Sequence, residues 1–266
     1  MINGSSFDMK KTNQQKKTAR KKKLVRLINS VFSEKKCAAV IVAAGGSTRM
    51  GEGVDKQYIE VSGVPVLARS IAAFENTEDI EYIIVVVRKG GTASCRKLIS
   101  DFGFKKVKRV VEGGESRQDS VLRGVDALDE NTEFVAIHDG ARCLVTPEMI
   151  KNVLDTAKRT GAASAGAPVK DTIKQVSLFK VVESTPDRGK LWMAQTPQIF
   201  KSGLYRAAAY YAVKKGVEAT DDNSLIERLN GKVNMVDCGY SNIKITTPED
   251  VAVAEALLKI RKDADK

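Results

Sequence analysis

From residue 37 onward, short apolar runs alternate with amphipathic stretches, and this alternation limits the possible folds more than any other feature of the sequence. Strands buried on both faces read as short apolar runs, and the amphipathic stretches between them predict helices that cover those faces. The predicted strands are 38–43, 82–87, 107–111, 134–137, 162–167 and 233–237. The predicted helices are 65–74, 93–102, 117–128, 147–158, 204–214, 222–229 and 248–261. The sequence therefore predicts a Rossmann-like α/β fold, with a mostly parallel sheet and helices on both faces.

Residues 171–193 interrupt this alternation. Two β-prone pieces, 172–176 and 179–182, are too close in sequence for a helix between them and predict a β-hairpin. Such a hairpin is either an arm that reaches a partner subunit or a simple surface hairpin, and the residues leave both open. We expect one domain over 37–266 that carries a protruding hairpin arm over 171–193.

The positive charge of the chain is concentrated at its N-terminus. The net charge is +11, and residues 1–36 hold eleven Lys or Arg against two acidic residues, which leaves only +2 for the remainder. We expect a disordered, basic N-terminal extension, because its first half has too few apolar residues to pack. Residues 24–32 are compatible with a basic amphipathic helix on an anionic surface, and the alternative is a solvated extension.

Composition excludes several other classes of protein. The longest apolar run has eight residues, far fewer than the roughly 20 that a membrane-spanning helix needs. No signal-peptide pattern is present, and the four cysteines lack the paired short spacing of a zinc site or disulfide framework, so we expect a cytoplasmic protein with reduced thiols. The single histidine, His138, argues against any site that needs two imidazoles.

The first predicted strand runs into a glycine turn at 43–51. In a doubly wound sheet, ligands bind beyond the carboxyl ends of the strands, and glycines there let backbone N–H groups converge on an anion. Glu52 stands where a P-loop requires Lys, and the three-glycine dinucleotide pattern is absent. The cations Arg49 and Lys56 instead lie within and after the turn, where they would face the phosphates of a bound nucleotide.

Three further polar clusters follow later predicted strands, at 112–120, 138–142 and 242–246. Each cluster alone is compatible with a turn that contains a salt bridge. Because the carboxyl ends of parallel strands meet at one edge of a sheet, their shared position predicts one common crevice. Asp139 and Arg142 place a carboxylate and a guanidinium side by side in that crevice.

These motifs form an ordered set of nine stretches: 44–50, 56–58, 113–121, 138–142, 170–174, 187–188 with 191–192, 196–198, 220–222 and 242–250. Together they resemble the 2-C-methyl-D-erythritol 4-phosphate cytidylyltransferase family, and agreement in order is far more specific than any one stretch. The resemblance implies that CTP and methylerythritol phosphate yield CDP-methylerythritol and pyrophosphate in the non-mevalonate isoprenoid route. It also implies Mg²⁺ held mainly by the CTP phosphates, and a homodimer whose hairpin arms cross between subunits.

The resemblance also implies roles for individual residues of this chain. The catalytic residues would be Arg49 and Lys56, which stabilise the charge on the reacting phosphates, with Arg188 from the partner's arm and Lys244, which hold the acceptor phosphate. The nucleotide-binding residues would be Ala43, Ala44, Gly45, Gly46, Ser47, Gly113, Gly114, Glu115 and Ser120. The residues that bind the polyol substrate would be Asp139, Gly140, Arg142, Thr172, Thr196 and Thr220.

The chain departs from the family pattern at three small positions. Ser47 stands where glycine is common, Gly140 where alanine is usual and Asp222 where glutamate is frequent. These changes bear on substrate preference more than on the reaction.

Two alternatives remain open at this point. A sister group that makes CDP-ribitol from ribitol 5-phosphate is similar at the glycine turn, at 196–198 and at 245–248, whereas 170–174 and 191–192 favour methylerythritol phosphate. A nucleic-acid or membrane-surface binder would depend on the extension alone. That extension lacks aromatic residues interleaved with its basic ones over 10–26, so nucleic acid is not expected as a partner.

Overall fold

A computed structural model of the protein describes residues 36–46 and 55–264. The strands are β1 Cys37–Ala43, β2 Glu60–Val61, β3 Val64–Pro65, β4 Ile80–Val87, β5 Val107–Glu112, β6 Phe134–Asp139, β7 Ala162–Pro168, β8 Gln175–Val176, β9 Val182–Ser184, β10 Trp192–Lys201 and β11 Asn234–Asp237. The helices are α1 Val66–Glu75, α2 Thr92–Phe102, α3 Arg117–Asp126, α4 Pro147–Thr160, α5 Ser202–Lys215, α6 Asp222–Arg228 and α7 Pro248–Ala264. Every strand and helix predicted in the α/β part is confirmed, with ends that differ by three residues or fewer.

Seven strands form one sheet in the order β11-β7-β10-β6-β1-β4-β5. β10 runs antiparallel to both of its neighbours, β6 and β7, and the other neighbouring pairs are parallel. β4 and β5 lie on one side of β1 and β6 lies on the other, so the order in which the chain adds strands changes side at β1, as it does in doubly wound folds. The predicted Rossmann-like sheet is therefore confirmed.

Both faces of the sheet are covered by helices. Along β1, Ala39 and Ile41 pack into a core with α1, α2 and α4. Val40, on the opposite face, packs with α3, α5 and α6. Successive strand residues point to opposite faces, so a strand buried on both sides reads as an uninterrupted apolar run. A smaller core joins α7 to β2 and to Leu144.

The central strand β10 is the main element that the sequence pattern did not predict. Its buried middle holds Gln195, Thr196, Pro197 and Gln198, and prolines and amides are depleted in strands. The pairing of β10 with β7 shifts register between Ala194 and Gln198, where the proline stands. Buried partners satisfy its polar groups, so tertiary contacts outweigh the poor local preference.

The predicted hairpin is present, but its second strand begins later than expected. β8 and β9 pair antiparallel, and residues 177–181 form the turn between them instead of starting the strand at 179. The backbone N–H of Lys180 donates to Ser177 O, and Lys180 itself adopts a left-handed φ of 62°. Residues 179–181, which were predicted to begin the second strand, therefore belong to the turn.

The predicted basic extension over 1–36, including the possible helix at 24–32, lies outside the described residues apart from Lys36. Among the helices of the described part, none combines the length and the apolar character needed to cross a membrane.

Candidate active site

A pocket of about 290 Å³ opens beside the carboxyl ends of β1, β5 and β6. It is lined by Val42, Ala44, Gly45, Gly46, Lys56, Gln57, Gly114, Glu115, Ser116, Arg117, Ser120, Asp139, Ala141 and Lys244. The chain passes from β1 to β4 through α1 on one face of the sheet and from β5 to β6 through α3 on the other face, and a crevice forms where the strand order changes in this way. Residues far apart in sequence therefore share one cavity.

The turn after β1 supplies backbone to the pocket. Ala44, Gly45 and Gly46 line it, and a Cβ built on either glycine would meet nothing within 4 Å. This leaves the backbone open to close approach by a ligand. Ser47 and Arg49, predicted to bind nucleotide and to act in catalysis, lie outside the described residues.

The N-terminus of α3 forms another wall. Ser116 caps the helix: its hydroxyl accepts from the Asp119 N–H, and the Asp119 carboxylate accepts from the Ser116 N–H. Gly114 N donates to Ser120 Oγ at 3.1 Å, which joins the strand-end turn to the helix. A Cβ at Gly113 would lie 2.5 Å from Ser120 Oγ and 2.6 Å from Ala44 Cβ, so only glycine fits between these two walls.

Asp139, the last residue of β6, is surrounded by cations. Arg117 Nε lies 3.1 Å from Oδ1, Lys244 Nζ lies 2.7 Å from Oδ2, and Arg142 Nε lies 3.9 Å from Oδ2. Burial acts to raise the pKa of Asp139, but Arg117 and Lys244 outweigh it and hold the pKa well below its ordinary range. Asp139 therefore stays ionised and holds Arg117 and Lys244 at the pocket wall.

Lys56 and Gln57 bring two more polar side chains to the pocket. Lys56 is 9% exposed and Gln57 is 3% exposed, and both line the cavity. The backbone fixes them, because Gln57 N donates to Asp55 Oδ1 and Leu67 N donates to Gln57 O. A lysine held in a cavity wall is suited to neutralise charge on a phosphate.

Lys244 reaches the pocket from the segment between β11 and α7. Ile245 N donates to Ala141 O at 2.8 Å, and Arg142 Nη1 donates to Asn242 O at 2.8 Å. Asn242 is fully buried, and its amide donates to Thr196 O at 2.9 Å. These bonds attach the segment to the end of β6 and to the middle of β10.

The structure brings together most, but not all, of the predicted site residues. Those that line the pocket are Ala44, Gly45, Gly46, Lys56, Gly114, Glu115, Ser120, Asp139 and Lys244. Those that lie next to it without lining it are Ala43, Gly113, Gly140, Arg142 and Thr196. Thr172, Arg188 and Thr220 are exposed and do not line the pocket.

Arg117 and Gln57 line the pocket, although neither was predicted as a site residue. Both lie inside stretches that carried the resemblance. The sequence does contain a signal for Arg117. A cation at the first position of a helix is unfavourable next to the positive end of the helix dipole, which indicates that the side chain has a partner elsewhere. Its carboxylate partners are distant in sequence, so the ion pairs themselves could not be read from it.

Comparisons with known proteins show which family the chain resembles. The family model described as 2-C-methyl-D-erythritol 4-phosphate cytidylyltransferase matches residues 37–260. The protein of that name from Caldanaerobacter subterraneus subsp. tengcongensis is 47% identical over 223 residues, covering 84% of this chain and 98% of the relative. Another from Desulforamulus reducens is 47% identical over 224 residues, covering 84% and 96%.

Solved structures are similar over the same region. The 4-diphosphocytidyl-2C-methyl-D-erythritol synthase of Anaerococcus prevotii matches with a TM-score of 0.76 at 31% identity, covering 85% of this chain and 100% of that one. The 2-C-methyl-D-erythritol 4-phosphate cytidylyltransferase of Thermus thermophilus matches with a TM-score of 0.67 at 32% identity, covering 84% and 98%. A family match over nearly all described residues, with relatives at this identity over nearly their whole length, shows that the chain belongs to the 2-C-methyl-D-erythritol 4-phosphate cytidylyltransferase family.

Proposed function

We propose that this protein transfers CMP from CTP to 2-C-methyl-D-erythritol 4-phosphate and releases pyrophosphate, a step in isoprenoid precursor synthesis. The observation that carries the proposal is the set of three cations, Lys56, Arg117 and Lys244, around one pocket at the carboxyl ends of the strands. A reaction between two phosphate groups needs fixed positive charge and alignment more than it needs a strong base. The family membership supplies the identity of the two substrates.

The nucleotide occupies the side of the pocket formed by the β1 turn and the start of α3. Open backbone at Gly45 and Gly46 admits the phosphates, and the capped N-terminus of α3 supports negative charge. Gly114 and Ser120 line this side of the pocket, where the base is placed. This assignment agrees with the roles implied for these positions.

In the reaction, an oxygen of the acceptor phosphate attacks the α-phosphorus of CTP. One P–O bond forms, the bond from the α-phosphorus to the β-phosphate oxygen breaks, and pyrophosphate leaves with the bonding electrons. Lys56 stabilises the charge that builds on these oxygens, and Arg49 has the same proposed role. Both phosphate groups are anions near neutral pH, so no proton has to be removed from the nucleophile.

The acceptor occupies the side of the pocket formed by Asp139 and Lys244. The Lys244 ammonium, 36% exposed, binds the acceptor phosphate, and Asp139 Oδ2 accepts from a polyol hydroxyl. Arg142, Thr172, Thr196 and Thr220 are proposed to complete the polyol pocket. Thr172 and Arg188 lie on or beside the hairpin arm.

Mg²⁺ is proposed to enter the site on the phosphates of CTP. Asp139, a buried carboxylate of the pocket, is already paired with cations, and no cluster of three or more His, Cys, Asp or Glu within 36–46 and 55–264 is arranged to hold a metal ion. When bound, the ion neutralises phosphate charge. The protein contributes alignment of the phosphates around it.

We propose that the active form is a homodimer in which each arm serves the pocket of the other subunit. The tip of the arm exposes Leu178 fully, with Phe179 88% and Val181 64% exposed, an apolar surface suited to cover by a second copy. Arg188 is absent from the residues that line its own pocket. A cytoplasmic location is proposed as well, because all four cysteines are buried free thiols.

Pyrophosphate release from purified protein with CTP and Mg²⁺ tests the reaction. Methylerythritol phosphate should support turnover, and ribitol 5-phosphate should support far less. With ¹⁸O in the acceptor phosphate, mass spectrometry should find the label in the CDP product and none in pyrophosphate. Faster turnover with ribitol 5-phosphate would favour the sister activity, and no release with either acceptor would refute CMP transfer.

A further inference from the structure

We propose that Arg117, anchored by Asp222 and Tyr205, is a positioning residue that divides the charge of Asp139 and so keeps Lys244 available to the acceptor phosphate. The inference rests on the proposed function, because it concerns how the same pocket receives its second substrate. Arg117, Asp222 and Tyr205 were not among the predicted site residues.

Arg117 bridges two carboxylates. Its Nε donates to Asp139 Oδ1 at 3.1 Å, and its Nη2 lies 2.9 Å from Asp222 Oδ2. Burial acts to lower the pKa of Arg117, but Asp222 and Asp139 raise it above its ordinary value, so the guanidinium stays charged. A planar guanidinium can pair with two acids in fixed directions, which a lysine ammonium cannot do with the same geometry.

The far end of this bridge is anchored in the core. Asp222, the first residue of α6, is 1% exposed, and its backbone N–H donates to Gln198 Oε1 at 3.0 Å. The hydroxyl of the fully buried Tyr205 donates to Asp222 Oδ1 at 2.6 Å. Helices α5 and α6 and strand β10 therefore hold the carboxylate that holds Arg117. Loss of the cation would leave the buried Asp222 carboxylate uncompensated, which strongly destabilises the fold.

At the pocket end, the two oxygens of Asp139 have different partners. Arg117 takes Oδ1, and Lys244 lies 2.7 Å from Oδ2. Without Arg117, the carboxylate can turn and present both oxygens to Lys244. The ammonium would then bind Asp139 more tightly and the acceptor phosphate less tightly. Arg117 thus acts on the substrate through Asp139 and Lys244.

Steady-state kinetics of Arg117→Gln, Asp222→Asn and the double variant test this series of contacts from Asp222 through Arg117 to Asp139. The KM for methylerythritol phosphate should rise on the order of tenfold in each single variant, a change larger than that in the KM for CTP. The double variant should have a KM for methylerythritol phosphate no higher than that of Arg117→Gln alone, because both changes break the same series of contacts. Arg117→Lys should not restore the KM. The proposal would be overturned if the two increases in the KM for methylerythritol phosphate multiplied in the double variant, or if only the KM for CTP rose.

Two tyrosines of α5 give a matched pair for the anchor. Tyr205 donates to Asp222 and Tyr210 donates to Asp126, each at 2.6 Å. Tyr205→Phe should raise the KM for the acceptor, and Tyr210→Phe should leave it unchanged. Equal effects of the two variants would contradict an anchoring role, and thermal unfolding of each variant controls for loss of fold.

A crystal structure of Arg117→Gln gives a readout that does not depend on activity. Both oxygens of Asp139 should approach Lys244, whereas an unmoved carboxylate would overturn the proposal. An unmodified protein that releases no pyrophosphate would refute the proposed function instead, and this structure would still decide whether Arg117 sets the position of Asp139.

Discussion

The hydroxyl of Thr196 lies 3.1 Å from Nδ1 of His138, inside the protein and beside the pocket. The same hydroxyl accepts from the backbone N–H of Asp139 at 3.0 Å, and His138 Nε2 lies 3.3 Å from Arg142 O. The imidazole therefore connects the end of β6 to the middle of β10, next to Asp139, which holds the cations. Burial lowers the pKa of His138 to about 3, so the imidazole is neutral in the folded protein.

This neutral imidazole predicts a dependence of stability on pH. The pKa of His138 is about 3 when folded and 6.5 ordinarily, so below 6.5 the unfolded chain binds a proton that the folded chain does not. The contribution of the neutral His138 to stability is therefore fully present above the unfolded pKa of 6.5, and it is lost as the pH falls toward the folded pKa of about 3. Between about pH 6 and pH 5, the free energy of unfolding should fall by on the order of 1 kcal/mol.

Urea unfolding at the two pH values measures that fall, and His138→Asn is the control. His138 is the only histidine of the sequence, and Asp139, whose pKa is lowered, loses its stabilising effect only at more acidic pH. The variant should be less stable overall, but its stability should change far less over this interval. An unchanged slope in the variant would show that another group is responsible.

Gly113→Ala should weaken CTP binding. A Cβ there would approach Ser120 Oγ and Ala44 Cβ to 2.5 and 2.6 Å, so the two walls must move apart. The KM for CTP should rise on the order of tenfold, the size expected for local overpacking. Gly203→Ala in the first turn of α5 is the matched control, because its Cβ would meet nothing within 4 Å. A normal KM for CTP in Gly113→Ala would remove this turn from the nucleotide site.

Lys56→Ala should lower kcat by about a hundredfold, the effect of losing one preorganised charge at the reacting phosphates. Pyrophosphate release at saturating CTP and acceptor measures it. Lys97→Ala is the control, because Lys97 pairs with Asp101 on the exposed side of α2 and its side chain is 76% exposed. Near-normal turnover in Lys56→Ala would exclude this lysine from the reaction.

The sequence predicted the parallel part of the sheet because buried strands carry a local signal. Val40 and Ile41 face opposite cores, so β1 had to be apolar at every position. β10 carries no such signal. Its amides are paired by groups distant in sequence, such as the N–H of Asp222 with Gln198 Oε1, and such a strand can only be recognised once its partners are in place.

The site could be predicted where position along a strand was enough. Asp139 ends β6, Lys56 and Lys244 lie in the segments that follow β1 and β11, and the pocket brings the three together as expected. The bridge from Arg117 to Asp222 joins the starts of two helices that lie far apart in the chain. Helix caps and strand ends are local features, whereas a buried ion pair depends on the packing of whole elements.

The hairpin arm provides the test of the proposed homodimer. One subunit carries Arg188→Ala and the other carries Lys56→Ala, each with a different affinity tag, and heterodimers are isolated by purification on both tags. If each arm serves the partner's pocket, one of the two sites keeps both residues, and about half of the normal turnover should return. A heterodimer of an unmodified subunit with a subunit that carries both changes is the matched control, because crossing arms then leave both sites defective. Recovery in that control, with none in the first heterodimer, would show that each site is built within one subunit.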